Sequence, residues 1–68
     1  MEHLMQMRTR FELSQIVVWK GKRGIYKGRV VGLHDDFVFI REIIITSMGI
    51  RLPGIIFRVE FEDVIARV

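Results

Sequence analysis

The sequence predicts a small, mainly β protein in which a short N-terminal α-helix precedes a strongly bent, five-stranded antiparallel barrel. Three apolar runs, at residues 16–19, 25–33 and 37–40, are separated by short turn-rich segments. The second run contains Gly28 and Gly32, and glycine inside a strand marks a bend, a bulge or a close backbone approach. Residues 55–62 alternate between apolar and polar side chains, which is typical of a half-buried strand.

The remaining elements follow from turn chemistry and periodicity. The basic segment at residues 20–24 joins the first two strands, and His34-Asp35-Asp36 leads into a third strand over residues 37–46. Turns are predicted at residues 47–49 and at Pro53-Gly54, because Pro-Gly suits the central positions of a type II turn. The fourth strand should direct the side chains of four alternating residues toward the core: Ile55, Phe57, Val59 and Phe61. A short connection at residues 62–63 precedes a final strand over residues 64–68.

Residues 3–14 are predicted to form the helix. Leu4, Met7 and Phe11 follow a helical spacing and make a narrow apolar stripe. A helix of about twelve residues is marginal on its own, so it should pack over one end of the barrel. The chain is then a single domain over residues 1–68, with the barrel at about 16–68.

Length and composition predict an oligomer. A chain of 68 residues buries only about 60% of its surface on folding. It has no cysteine, which excludes disulfides and thiolate metal sites, yet half of its residues are hydrophobic. Apolar surface left over from so small a core commonly forms an interface, and the short final strand is an edge unless another strand pairs with it.

The charge is uneven. Residues 1–33 contain seven basic and two acidic residues, whereas residues 34–68 contain four basic and six acidic ones. A basic turn suits phosphate binding, although solvation alone also explains a charged turn. Five cations are candidate contacts for the phosphates of a nucleic acid: Lys20, Lys22, Arg23, Lys27 and Arg29. The aromatic residues Trp19 and Tyr26 flank the basic turn, where they could stack bases or belong to the core.

Other functional classes find little support. The histidines are His3 and His34 and no nucleophile–base spacing occurs, so we expect no enzyme activity and no cofactor. The acids beside His34 are more typical of a solvated turn than of a metal site. The longest apolar runs are shorter than the ~18 residues of a membrane span, and the N-terminus lacks signal-peptide order. We therefore expect a soluble, cytoplasmic protein.

Three stretches resemble the Sm-like family, a group of small SH3-like barrels, and most of all its bacterial Hfq-like branch. They are residues 25–30 (IYKGRV), residues 35–40 (DDFVFI) and residues 61–68 (FEDVIARV). With the N-terminal helix they cover nearly the whole chain. The resemblance implies a homo-oligomeric ring of about five to seven subunits, a closed cyclic assembly. It also implies single-stranded RNA as a partner, bound around the pore.

The resemblance further implies roles for particular residues. Phe37 occupies the position at which the family stacks a base, and Asp35 the position of an acid that orders the same loop. The fourth strand of one subunit would pair with the fifth strand of the next, which places five residues at the interface: Ile56, Val64, Ile65, Ala66 and Val68.

The chain also departs from the family pattern. The asparagine with which the family recognises the base is not evident, because Val38 or Phe39 lies near its expected position. The Arg-Gly of the second Sm motif is absent. Glu62 and Asp63 stand where the Hfq-like branch has a Lys-His pair. Because two acids repel phosphate, we expect RNA binding that is weak, salt-sensitive and displaced from the pore. Two alternatives stay open: an oligomeric Sm-like or SH3-like module for assembly or protein interaction without RNA, and a single SH3-like barrel of the ribosome- or polymerase-associated type.

Overall fold

The structure, a computed structural model, describes residues 11–68. It consists of five antiparallel strands: β1 (Ile16–Gly21), β2 (Gly24–Leu33), β3 (Phe37–Ile45), β4 (Arg51–Glu60) and β5 (Val64–Arg67). A single 3-10 turn, Phe61–Asp63, joins β4 to β5. All five strands belong to one sheet with the order β4-β3-β2-β1-β5. The mainly β prediction is confirmed. Within the described range, no helical segment has the length and apolar character that crossing a membrane requires.

The predicted helix over residues 3–14 lies largely outside the described residues. Its described end, residues 11–14, is not helical, and Ser14 has a φ of 70°. The Ser14 amide donates to the carbonyl oxygen of Val30 at 2.8 Å, so the chain here is already bonded to β2. Phe11 is buried and stacks on Phe61 with 5.1 Å between ring centroids.

The sheet curls strongly but does not close, which corrects the predicted closed barrel. Its two edges are β4 and β5, and the hydrogen-bonded order of the described strands does not join them. Three strand spacings of about 4.8 Å separate β1 from β4 in a flat sheet. The rings of Trp19 on β1 and Phe57 on β4 are nevertheless only 5.6 Å apart. Aromatic side chains, rather than backbone pairing, fill the space between these strands.

The core occupies the concave face of the curled sheet. The alternation within each strand turns one set of apolar side chains inward, and six of them are buried: Val17, Trp19, Val30, Val38, Ile40 and Val59. Phe11, which precedes β1, is the seventh buried core residue. Tyr26, Phe57, Phe61 and Val64 pack against this cluster. Val59, Phe57 and Phe61 therefore point inward as predicted.

The predicted turn at Pro53-Gly54 is wrong, because both residues lie inside β4. The turn predicted at residues 47–49 is confirmed: it joins β3 to β4, and the Thr46 hydroxyl oxygen accepts hydrogen bonds from the amides of Met48 and Ile50. The register changes between Arg41, which faces Ile56, and Ile43, which faces Pro53. Two β4 residues thus oppose one β3 residue, a bulge that tolerates proline on an edge strand.

That bulge also overturns the predicted inward orientation of Ile55. The alternation of β4 restarts at the extra residue, so Ile55 is 67% exposed rather than part of the core. Two further irregularities occur between Val30 and Gly32 of β2 and between Val18 and Trp19 of β1. Bulges of this kind increase local twist and bend the strand, which is how five short strands curl around so small a core.

Gly28 is required where β2 and β3 approach most closely. A Cβ atom at this position would collide with the carbonyl oxygen of Arg41 and would lie 2.6 Å from Cγ2 of Ile40. The carbonyl is part of the β3 backbone, so rotating a side chain cannot relieve the clash. At Gly32 an added Cβ would meet only the side chain of Phe39, at 3.1 Å.

We expect Gly28→Ala to lower the free energy of unfolding by about 1–3 kcal/mol, the usual cost of overpacking. Urea denaturation at a fixed protein concentration measures it. Gly32→Ala is the matched control on the same strand, and it should cost less because the Phe39 ring can shift. A Gly28→Ala protein as stable as the wild type would show that the close approach of β2 and β3 does not shape the sheet.

Candidate nucleic-acid interface

The basic turn between β1 and β2 is a tight hairpin. Gly21 pairs with Gly24, which leaves Lys22 and Arg23 as the two turn residues. Gly24 adopts a φ of +130°, a conformation that other residues rarely take. Gly21 is required for a different reason, because a Cβ there would lie 2.8 Å from Cδ1 of Tyr26. The two glycines therefore form a tight turn that exposes two adjacent cations to solvent.

An open cavity of about 680 Å³ lies beneath this hairpin, and we call it the hairpin cavity. Its aromatic wall consists of Trp19, Tyr26 and Phe57, whose ring centroids are 5.4–5.6 Å apart. Trp19 is only 2% exposed, so it belongs to the core and offers no free face for a base. Tyr26 and Phe57 are half-buried and remain accessible. Charged residues line the rest of the cavity: Lys20, Lys22, Arg23, Arg58 and Asp63.

A second candidate surface lies on the outer face of the sheet, and we call it the stacking cluster: His34, Phe37, Phe39 and Arg58. The rings of His34 and Phe37 are nearly parallel, at 17°, with centroids 4.5 Å apart. The Phe39 ring meets both of them edge-on, at 5.2 and 5.4 Å. The guanidinium carbon of Arg58 lies 4.0 Å from the centroid of Phe37.

Backbone and ionic contacts fix the stacking cluster. The His34 amide donates to the Phe37 carbonyl oxygen at 3.1 Å and closes the loop between β2 and β3. Nε of Arg58 pairs with the Glu60 carboxylate at 3.1 Å. The core residues Val38 and Ile40 alternate with Phe37 and Phe39, which is why both rings point away from the core. The cluster is thus a partly exposed aromatic platform beside one cation.

The structure separates the five predicted cations into two groups. Lys20, Lys22 and Arg23 line the hairpin cavity. Lys27 and Arg29 are exposed on the outer face of β2, since they alternate with the buried positions Gly28 and Val30. Nη1 of Arg29 donates to the Ser14 carbonyl oxygen at 2.9 Å. No single surface therefore collects all five cations.

Asp35 and Phe37 lie at the loop between β2 and β3, as the sequence predicted. The Asp35 side chain is exposed. Within residues 11–68 the closing hydrogen bond of this loop is the backbone bond from His34 to Phe37, and none involves the Asp35 carboxylate. In the same range, no three histidine, aspartate or glutamate side chains converge as they would around a metal ion.

The five predicted interface residues lie on the two edge strands or at the chain end beside them. Ile56 on β4 is 48% exposed, and Ile65 on β5 is 57% exposed. Val68 is 80% exposed, and Ala66 is also exposed. Val64 differs from the others, because it packs against the core and its amide donates to the Phe61 carbonyl oxygen. Four of the five residues therefore present apolar surface at an open sheet edge.

Sequence reasoning missed His34, Phe39, Arg41, Arg51 and Arg58. Phe39 and Arg41 follow Phe37 at intervals of two residues. Once Val38 and Ile40 are assigned to the core, strand alternation predicts that these residues share the outer face with Phe37. Arg51 could not be located while Pro53-Gly54 was taken as a turn. Arg58 depends on the register between β3 and β4, where it faces Phe39.

Comparison of the chain with protein-family models, with curated proteins and with solved structures finds no match. The resemblance to the Sm-like family therefore stays a prediction, based on the three sequence stretches that suggested it.

Proposed function

We propose that the protein is an Sm-like, ring-forming subunit without catalytic activity that binds single-stranded RNA through base stacking and basic phosphate contacts. The observation on which this proposal depends is the stacking cluster, in which two exposed-face phenylalanines lie beside a cation. Aromatic platforms bordered by positive charge bind single strands with little sequence preference, because every base has a π-face and every linkage has a phosphate.

The Phe37 side chain already makes one stacking contact and one cation–π contact, which are the two kinds of contact expected around a bound base. Its neighbour His34 is a flat heterocycle stacked at 4.5 Å, and Arg58 supplies a cation–π contact at 4.0 Å. His34 is exposed in a loop, so a base can take its place at the cost of one solvent-exposed stacking contact. Arg58 would then lie close to both the base and the phosphate that follows it.

The hairpin cavity supplies a second group of contacts. Lys22 and Arg23 lie at the turn, and the accessible faces of Tyr26 and Phe57 lie below them. Asp63 lines the same cavity, and its charge opposes a phosphate there. This arrangement supports the expectation that binding is weak and salt-sensitive.

Assembly into a homo-oligomeric ring of about five to seven copies is proposed from the two open edges. The strand order leaves β4 and β5 each with one neighbour. The Val68 amide donates to the Ile16 carbonyl oxygen, so alternation directs the Arg67 amide away from β1 toward the free edge. An edge with unpaired amides and exposed apolar side chains is a template for another strand.

An assembly or protein-interaction module without RNA is the second candidate. Two observations favour it: the Phe37 ring is already in contact with His34 and Arg58, and the hairpin of β3 and β4 exposes several large apolar side chains. They are Ile44, Ile45, Met48, Ile50, Leu52 and Ile55. RNA titration separates the two candidates, because only the first requires nucleic acid.

The proposed ring-shaped assembly predicts that removing one backbone amide from the free edge of β5 lowers the mass of the particle. Arg67→Pro removes the N–H that faces the free edge of β5 and should give particles of lower mass. Arg67→Ala is the matched control, since it loses the same contact with the Phe11 ring, at 4.4 Å, but keeps the amide. Light scattering on both variants measures the mass. A monomeric wild-type protein at micromolar concentration would refute the ring.

Phosphate contacts from the basic hairpin predict a salt-dependent affinity. Each phosphate contact adds about −0.7 to the slope of log K against log salt for single strands. The double variant Lys22→Ala/Arg23→Ala should therefore flatten the slope for fluorescent oligouridine or oligoadenine. The swap Lys22→Arg/Arg23→Lys keeps both charges and should leave the slope unchanged. An unaltered slope in the alanine variant would exclude the hairpin from the RNA path.

Base stacking at Phe37 predicts a loss that depends on aromaticity. Phe37→Leu keeps an apolar side chain but removes the π-face, and it should weaken oligouridine binding by about 1–3 kcal/mol. Phe37→Tyr retains the ring and should bind nearly as well as the wild type. Fluorescence anisotropy at low salt measures both. If neither oligouridine nor oligoadenine binds the wild-type protein, the interaction module is the better description.

A further inference from the structure

Three arginines meet on the outer face of the sheet, away from the hairpin cavity. Arg29, Arg41 and Arg51 line an open groove of about 340 Å³ formed by β2, β3 and β4, and we call it the arginine groove. One acid, Glu42, also lines it. The remaining wall is apolar and consists of Val31, Ile43, Leu52 and Pro53.

The positions of two of these arginines are unfavourable without an anion. Arg29 and Arg41 face each other directly across the inner strands β2 and β3. Like charges in directly opposed cross-strand positions are destabilising. Nη1 of Arg41 donates to the Gly54 carbonyl oxygen at 3.1 Å, and Nη1 of Arg29 donates to the Ser14 carbonyl oxygen at 2.9 Å. Each guanidinium is thus oriented by one backbone contact and keeps further N–H donors for a ligand.

Charge and donor geometry define the ligand chemistry. Three arginines and one glutamate give the groove a net formal charge of two positive units at neutral pH. A phosphomonoester has about −1.5 to −2 charge and three acceptor oxygens. An internal phosphodiester has a single charge and fewer free oxygens, so it matches three guanidinium groups less well. Planar guanidinium groups bind phosphate oxygens in pairs, which favours a terminal phosphate in this groove.

The groove lies in line with the stacking cluster. Phe37, Phe39 and Arg41 occupy alternate positions on β3, so they share one face at intervals of about 7 Å. Single-stranded RNA that stacks on the two rings can therefore continue along β3 toward Arg41. We infer that the arginine groove binds the terminal phosphate of a single-stranded RNA whose bases stack on the cluster. This inference rests on the proposed function and adds the chemistry of the RNA end.

The test compares oligouridines of one sequence with a 5′-phosphate, a 3′-phosphate or unphosphorylated ends. Anisotropy with an internal label should show about tenfold tighter binding of one phosphorylated form, the effect of one or two charge-assisted hydrogen bonds. Arg51→Gln should abolish that preference, and it leaves the fold intact because the Arg51 side chain is exposed and makes no hydrogen bond or ion pair within residues 11–68. Arg51→Lys keeps the charge but loses the planar fork, so it should restore the preference only in part.

Lys27→Gln is the matched control, because it removes one exposed charge from the outer face of β2 outside the groove. It should weaken all three oligouridines equally and leave their ratio unchanged. Equal binding of all three by the wild type would overturn the terminal-phosphate site and leave RNA binding in place. A preference that survives Arg51→Gln, or a phosphoserine peptide that binds as tightly as the phosphorylated oligouridine, would also overturn it. No binding of any oligouridine would overturn RNA binding itself.

Discussion

The close approach of β2 and β3 at Gly28 is the constraint on which the packing of the described sheet depends. The Arg41 carbonyl oxygen and the Ile40 side chain occupy the space that any larger residue at position 28 would need. Strands this close can curl until side chains of β1 and β4 meet across the concave face, as Trp19 and Phe57 do. The buried core is consequently one compact cluster shared by four strands and by Phe11.

The curled sheet does not close into a barrel, and it therefore leaves open edges and exposed apolar side chains on the surface. The stacked rings of Trp19 and Tyr26 and the tilted ring of Phe57 line the cavity beside the β1–β2 hairpin, while β4 and β5 are the edges among the described strands. Fully burying one large aliphatic side chain is worth about 1.5–3 kcal/mol. Burial of exposed residues such as Ile55 and Ile65 would therefore stabilise the proposed assembly. An association that extends the sheet would satisfy the edge amides and bury these side chains together.

Much of this architecture follows from local sequence patterns. The runs that became β1, β2 and β3 are bounded by glycine or by acidic turns, and the alternation from Phe57 to Phe61 correctly placed the inner face of β4. The glycine at position 28 was correctly associated with a close approach of another backbone. Barrel closure was not predictable, because it depends on whether β4 and β5 of one chain come within hydrogen-bonding distance, which no local pattern determines.

The turn expected at Pro53-Gly54 failed for a related reason. Proline and glycine favour a tight turn, yet they are equally compatible with a bulge on an edge strand. The choice depends on pairing with β3, where Ile43 faces Pro53 and Arg41 faces Ile56. Because the chain turns only once between β3 and β4, at residues 46–50, Arg51 begins β4 and lines the same groove as the other two arginines. The arginine groove could therefore not be predicted from the sequence, because the pairing of β3 with β4 determines which arginines lie together.

Strand alternation and the bulges together explain how aromatic and basic side chains come to share the outer face, on which the proposed RNA path depends. On β3 the inward positions Val38 and Ile40 form the core, so the intervening positions are free to differ in chemistry. These outward positions are two aromatic residues, Phe37 and Phe39, followed by a cation, Arg41. The neighbouring strands add Arg58 opposite Phe39 and Arg29 opposite Arg41. Each ring on this face thus has a guanidinium within one or two residue positions, whereas the acids Glu62 and Asp63 lie on the turn between β4 and β5. Two acids also border this face, Glu60 in its ion pair with Arg58 and Glu42 in the arginine groove, but four arginines outnumber them. This balance supports the proposed path for RNA along the outer face of β3 rather than past that turn.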